Sequence, residues 1–324
     1  MATGRATAGR QSAGKVPLLE REAELARIEE VLASSREGHG GVAMVGGPAG
    51  IGKTSLLAVA RSAGEAAGTR VLRARGGELE HEFGFGVVRQ LFEPLLAEAK
   101  PDERAEWLAG AAGLAARLLG LAGAGTTPDP AEGPPDPSFA VLHGLYWLCA
   151  NVAADRPLCL IVDDAHWADT PSLRYLAFLL PRLEELSVAL LIGLRPDEDE
   201  RTAGLLSSLA ADMATELVEP SPLSHAAVER LLREGLPDAP DAEFVAACQR
   251  ATGGVPFLVE QLVRALREDG VSPTAAAAGG IEALGSRSIG RWVLLRLGRL
   301  PARAQQLARA MAILEAGDLP AAAQ

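Results

Sequence analysis

The sequence predicts an α/β fold, a parallel sheet covered by helices, followed by a C-terminal part built from helices alone. Three observations predict it. Short apolar runs at 42–45, 69–74, 158–162 and 188–194 alternate with stretches of helical periodicity, as a parallel sheet with crossover helices requires. A glycine-rich segment, Gly47-Pro48-Ala49-Gly50-Ile51-Gly52-Lys53-Thr54, separates the first run from a helix. Beyond Asp197 helical spacing takes over, with 215–218 as one further short strand.

In chain order, residues 20–32 place Leu25, Ile28, Val31 and Leu32 on one helical face, and Gly38-His39-Gly40-Gly41 stops that helix. The strand 42–45 enters the glycine segment, residues 53–67 form the next helix, and 69–74 a second strand. Residues 85–99 are helical by Val88, Leu91, Phe92 and Leu95, with a bend expected at Pro94. Residues 109–125, almost wholly Ala, Gly and Leu, read as a helix, and the proline-rich stretch that follows as a mobile insertion at about 123–138. A helix at 138–154, a strand at 158–162, a helix at 171–183 and a strand at 188–194 complete the first part. Helices are then expected at 202–210, 225–234, 241–251, 256–269 and 289–316, the last broken near Pro301. The resulting domains are a disordered tail (1–16), an α/β domain (17–220), a helical domain (221–280) and a further region (281–324).

Composition excludes several classes. Of 324 residues 48% are hydrophobic, enough to bury a large core. A net charge of -11 argues against a whole-surface nucleic-acid or anionic-membrane binder, because phosphate repels such a field. Cys149, Cys159 and Cys248 stand far apart, as buried reduced thiols of a cytoplasmic protein rather than a disulfide scaffold. The first fifteen residues carry Arg5, Arg10 and Lys15 without the apolar core of a secretory signal; an organelle transit peptide stays open as the alternative to a tail. No apolar stretch is long enough to span a bilayer. Only three of 31 basic residues are lysine, which suggests a GC-rich bacterial genome.

The glycine segment carries the chemistry. Its glycines let backbone N–H groups turn inward around phosphates, and the helix after it adds the positive end of its dipole. It is a P-loop, with Gly47, Pro48, Ala49, Gly50, Ile51, Gly52, Lys53, Thr54 and the adjoining Ser55 as nucleotide-contacting positions. Lys53 supplies a point charge to the terminal phosphates, and the Thr54 hydroxyl is a ligand for magnesium.

A second constellation is the apolar strand Leu158-Cys159-Leu160-Ile161-Val162 ending in Asp163-Asp164. Acids after a strand can merely cap the next segment. Beside a P-loop, Asp163 is read as holding magnesium and Asp164 as polarising the attacking water. Arg195, after the strand 188–194, is a candidate γ-phosphate sensor at the carboxyl edge of the sheet, with a surface ion pair as the alternative. Thr252-Gly253-Gly254-Val255-Pro256-Phe257 lies between helices as a turn with a helix-starting proline. His166 and Trp167, after the acids, are read as aromatic packing beneath the loop, with contact to substrate as the alternative, and the remaining histidines form no metal-binding spacing.

These residues together resemble the STAND class of P-loop NTPases, and especially the ATPase region of large LuxR-type bacterial transcriptional regulators, over roughly residues 18–315. The resemblance rests on Leu19-Glu20-Arg21-Glu22-Ala23-Glu24-Leu25, the P-loop, the stretch from Val162 to Asp169, Leu194-Arg195-Pro196 and Gly253-Gly254-Val255-Pro256-Phe257. It implies that the nucleotide is ATP or ADP with Mg2+ and that Arg21 and Glu22 lie near the base, although Glu20 stands where a glycine is usual. It implies that Pro256 packs on adenine from a helical lid domain, and that 281–324 begins a truncated winged-helix region. It further implies a switch in which ADP holds a closed state and ATP favours self-association.

The expected function is thus a slow ATPase acting as a regulatory switch, with no direct DNA binding by this chain and no membrane partner. The alternative is an AAA-like ATPase of the origin-recognition or helicase-loading kind acting on DNA. The basic stretch from Arg287 to Arg309 keeps that alternative open, although it reads more simply as the polar face of an amphipathic helix.

Overall fold

The computed structural model describes residues 18–78, 83–121, 137–195, 204, 209 and 215–281. The expected tail, most of the insertion, the helix at 202–210 apart from residues 204 and 209, the basic stretch and all but the first residue of 281–324 lie outside them. The chain divides into two compact units, one made of Met1–Met44, Thr54–Gly193 and Leu205–Val218, the other of Val45–Lys53, Leu194–Gly204 and Glu219–Gln324.

The first unit is built on a five-stranded sheet of order β2-β3-β4-β1-β5. Its strands are β1 (Gly41–Val45), β2 (Arg70–Arg75), β3 (Leu158–Asp163), β4 (Val188–Gly193) and β5 (Thr215–Val218). β3 runs parallel to both β2 and β4, in registers that set Arg75 opposite Asp163 and Val162 opposite Ile192. Every residue of β3 and β4 is buried, so the central strands are covered on both faces, which is why they read as unbroken apolar runs. α1 (Glu22–Arg36) packs on β4 and β5, and α3 (Gly86–Glu98) on β2. α2 (Lys53–Ala66) follows the P-loop.

Asp169 ties two helices together. Its carboxylate N-caps α6 (Thr170–Leu179) by accepting from the Ser172 amide at 2.9 Å. It also accepts from the Phe85 and Val87 amides at 2.7 and 3.3 Å, at the start of α3. One buried acid therefore satisfies amides at two helix N-termini.

Most expected elements are found within one or two residues of their expected ends. The described part of 109–125, residues 109–121, differs. Instead of a helix, a 3-10 segment at Gly110–Ala115 passes into turns. Gly110 and Gly120 adopt φ of 62° and 72°, and glycine's freedom outweighs the alanines around it. The segment packs on α5 (Pro137–Asp155), where a Cβ on Gly144 would stand 2.7 Å from the Ala115 amide nitrogen. A further helix not anticipated from sequence, α4 (Pro101–Trp107), starts at a proline and is capped by Glu103, which accepts from the Lys100 amide at 3.1 Å.

In the second unit, α7 (His225–Gly235), α8 (Ala242–Thr252) and α9 (Pro256–Glu268) pack against one another. α7 is N-capped by Ser224. The Leu194 amide donates to the Val45 carbonyl at 3.0 Å.

Candidate functional site

The P-loop takes the backbone form its glycines permit. Gly47, Gly50 and Gly52 have φ of 142°, 82° and 108°, values that L side chains rarely adopt. Ile51, 1% exposed, pins the loop from below. The Lys53 ammonium folds back over the segment before it, donating to the Gly47 and Pro48 carbonyls at 2.7 and 2.9 Å. Gly50 in turn accepts from the Phe257 amide at 3.2 Å.

Within the first unit, helix α2 and strand β3 bring the expected magnesium ligands together. The Thr54 hydroxyl donates to Asp163 Oδ2 at 2.7 Å. Asp163 Oδ1 accepts from the Asp164 amide at 2.9 Å. Asp163 is 9% exposed and Asp164 8%. Gly193, at the end of β4, leaves room for the first acid: a Cβ there would meet Asp163 Oδ1 at 2.8 Å.

Asp164 has left-handed backbone geometry, φ 50° and ψ 43°, at the start of a short 3-10 turn. Its Oδ2 accepts from Arg75 Nε at 2.9 Å and Nη2 at 2.6 Å. That hydrogen bond, aided by the charges of Asp164 and Asp163 and opposed by burial, raises the Arg75 guanidinium above its ordinary value. After the acids, His166 is 1% exposed and its ring lies 5.3 Å from that of the half-buried Trp167.

The other expected positions lie as follows. Ser55 and Glu22 are exposed, whereas Arg21 is 4% exposed. Arg21 is the N-cap of α1, with Nη1 donating to the Glu20 carbonyl at 2.7 Å and lying 3.7 Å from Glu24. Glu20 has φ 55°, a backbone conformation that glycine adopts at no steric cost. Arg195 is half-buried two residues beyond β4, and Pro256 is the half-buried first residue of α9.

Sequence reasoning missed Arg75, Gly193 and Phe257 as members of this constellation. Arg75 sits in a strand of alternating arginines, Arg70-Val71-Leu72-Arg73-Ala74-Arg75, and only the β2–β3 register puts it beside the acids.

The donor set fits a hard divalent cation: a hydroxyl and a carboxylate oxygen in contact, with none of the soft ligands of a transition-metal site. Among the described residues no cluster of three or more His, Cys, Asp or Glu could hold a metal by itself. In P-loop sites phosphate and water complete the shell.

Comparison with known proteins gives the family. No curated protein sequence matches the chain. Among solved structures, the Aeropyrum pernix ORC1 protein in complex with DNA is 18% identical, over 93% of this chain and 74% of that one, with a TM-score of 0.49. The Aeropyrum pernix ORC2 protein, in ADPNP-ADP complexes, is 16% identical over 94% and 78%, with a TM-score of 0.48. A signal transduction ATPase with numerous domains (STAND) protein with a tetratricopeptide repeat sensor, from Pyrococcus horikoshii, is 18% identical over 72% and 29%, with a TM-score of 0.40. The profile of the AAA ATPase domain matches residues 17–192, more than half of the sequence, and the chain belongs to that family.

Proposed function

We propose that the chain is a nucleotide-operated switch: a module that binds ATP or ADP with magnesium, hydrolyses ATP slowly, and changes its conformation and self-association with the nucleotide state. The setting we propose is the ATPase region of a LuxR-type transcriptional regulator, with 17–220 as the nucleotide-binding domain, 221–280 as a helical lid and 281–324 as the start of a winged-helix region.

The observation that carries this reading is the engagement of Asp164 by Arg75. Lys53 binds the β- and γ-phosphates, Arg195 senses the γ-phosphate, and Arg21, Glu22 and Pro256 contact the base. Thr54 and Asp163 hold magnesium, which when bound neutralises phosphate charge. Asp164 accepts the proton of the attacking water. An oxygen already occupied by two guanidinium hydrogen bonds is not open to the attacking water. Turnover is then slow until the pair opens, as a switch requires and a fast motor does not.

Nucleotide released from the denatured, purified protein identifies the resting ligand. Size analysis with ADP or a non-hydrolysable ATP analogue then reads assembly. Retained ADP with assembly only on the analogue is the expected result; a protein that binds no nucleotide, or the same assembly with either nucleotide, overturns it. Turnover stimulated by DNA would instead favour a motor acting on DNA. Lys53→Ala should weaken triphosphate binding by about tenfold or more, and Asp164→Asn should slow hydrolysis while sparing binding.

A further inference from the structure

We propose that Phe257 is a positioning residue for the P-loop: the first turn of α9 grips the loop at Gly50 and thereby sets the loop for a nucleotide's β-phosphate. The inference rests on the nucleotide-binding reading above and assigns a role to a residue outside the phosphate contacts.

The grip begins with the chemistry of a helix start. The first amides of a helix have no partner within it. α9 opens with Pro256, which has no N–H, and its N-cap, Val255, offers no capping side chain. Phe257 is therefore the first backbone donor of the helix, and its amide donates to the Gly50 carbonyl at 3.2 Å. The two chains meet closely enough that a Cβ on Gly50 would lie 2.9 Å from Phe257 Cβ and 3.3 Å from Val255 Cγ1. Gly50, with φ 82°, thus serves two needs: a turn no L side chain favours, and space for α9.

The position of Phe257 is fixed by the helices rather than by the loop. Gly253 and Gly254 have φ of 57° and 72°. The Gly254 carbonyl accepts from the Leu223 amide at 2.8 Å, and the Thr252 hydroxyl donates to Cys248 O at 2.8 Å. Val259, Leu262 and Leu266 seat α9 in the core of the second unit. A helix start held in this way is a fixed point against which a glycine-rich loop can be ordered.

The consequence for phosphate follows from the planar trans peptide, whose C=O and N–H point in opposite directions. Tying the Gly50 carbonyl to α9 aims the Ile51 amide the other way, where it donates to the Pro48 carbonyl at 3.5 Å, a long bond that a phosphate oxygen can replace. Inward-pointing amides are what a P-loop presents to a phosphate. The Phe257 ring closes the contact, with Cδ1 3.6 Å from the same Cβ position on Gly50. Losing the ring loosens the grip without touching any group that contacts phosphate.

Two measurements on the full chain test this. The first is hydrogen exchange of the loop amides in nucleotide-free wild type, Phe257→Ala and Phe257→Leu. Faster exchange confined to residues 47–54 in the alanine variant, restored by leucine, is expected. Unchanged exchange, or faster exchange throughout the helices, overturns the proposal. The second is binding of ADP and AMP. A loop set for the β-phosphate predicts that Phe257→Ala weakens ADP about tenfold and AMP less than about twofold, as loss of preorganisation would. Equal losses for both would mark a base contact or a damaged fold and overturn it. Wild type that binds neither nucleotide removes the nucleotide reading and this inference with it, whereas wild type that binds while the alanine variant keeps its ADP affinity removes this inference alone.

Discussion

Arg75 holds Asp164 by one carboxylate oxygen, with Nε at 2.9 Å and Nη2 at 2.6 Å from Oδ2. The arginine side chain is 68% exposed and the acid 11%. The pair is therefore lopsided: the acid is fixed in the protein, and the cation reaches it from a side open to water. An exposed partner contributes little to stability. Its effect falls on the chemistry of the acid.

Arg75→Ala should accordingly leave folding and nucleotide affinity near those of wild type and raise basal ATP turnover by about threefold to tenfold, read as phosphate release at saturating ATP. Arg75→Lys, with a single point of attachment in place of a fork, should fall between the two. Slower turnover in the alanine variant would show that Arg75 orients Asp164 for the water instead of restraining it.

Gly193 gives a second prediction, aimed at the first acid. A methyl group there would lie 2.8 Å from Asp163 Oδ1 and 3.0 Å from Leu57 Cδ1. Both are closer than ordinary contact, and the carboxylate, already fixed by Thr54 and the Asp164 amide, has to shift. Gly193→Ala should weaken magnesium-dependent ATP binding by about tenfold, while ADP binding without magnesium changes little. Titrations with and without the metal separate the two; equal losses in both would point to general damage to the sheet.

How much of this was legible beforehand depends on how local each signal is. β3 and β4 declare themselves because complete burial makes them unbroken apolar runs. The P-loop and the two acids declare themselves because their chemistry is contiguous in sequence. Arg75 does not, because its partner is 89 residues away and only strand register joins them. Within 109–121 alanine and leucine favour a helix, while Gly110 and Gly120 break it. In Gly254-Val255-Pro256-Phe257 the proline stands out as a helix start, whereas the contact to the loop is made by the ordinary amide after it.

Glu20 holds a backbone conformation that few side chains adopt. Its φ of 55° puts a side chain in the left-handed region, which costs about 1–2 kcal/mol for a residue other than glycine. The Arg21 guanidinium bonds to the Glu20 carbonyl, a backbone atom that glycine retains. Glu20→Gly should therefore stabilise the protein by about 1 kcal/mol and raise Tm by about 2 °C, measured by thermal unfolding at matched nucleotide content. An unchanged or lower Tm would show that the glutamate side chain contributes as much as its backbone costs.

The three cysteines make the last prediction, and its sign can be worked out. Cys149, Cys159 and Cys248 are each 0% exposed, and burial pushes each thiol from 9.0 up to about 12. For Cys149 a hydrogen bond with Tyr175 opposes the rise without cancelling it. Below pH 9 the folded and unfolded chains both carry neutral thiols, so this contribution to stability is intact. Above it the unfolded chain ionises first and binds fewer protons than the native one, and stability falls as pH rises toward 12. The loss is about 1.4 kcal/mol per pH unit for each thiol while only the unfolded form titrates. Urea midpoints should hold between pH 7 and 8.5 and drop between pH 9 and 10.5, with a shallower drop in Cys159→Ala. At pH 8 a thiol reagent should label the native protein only as fast as it opens, and the urea-unfolded chain at all three positions. Rapid labelling of the native protein would place at least one of these thiols at the surface and remove the cause assigned to the pH dependence.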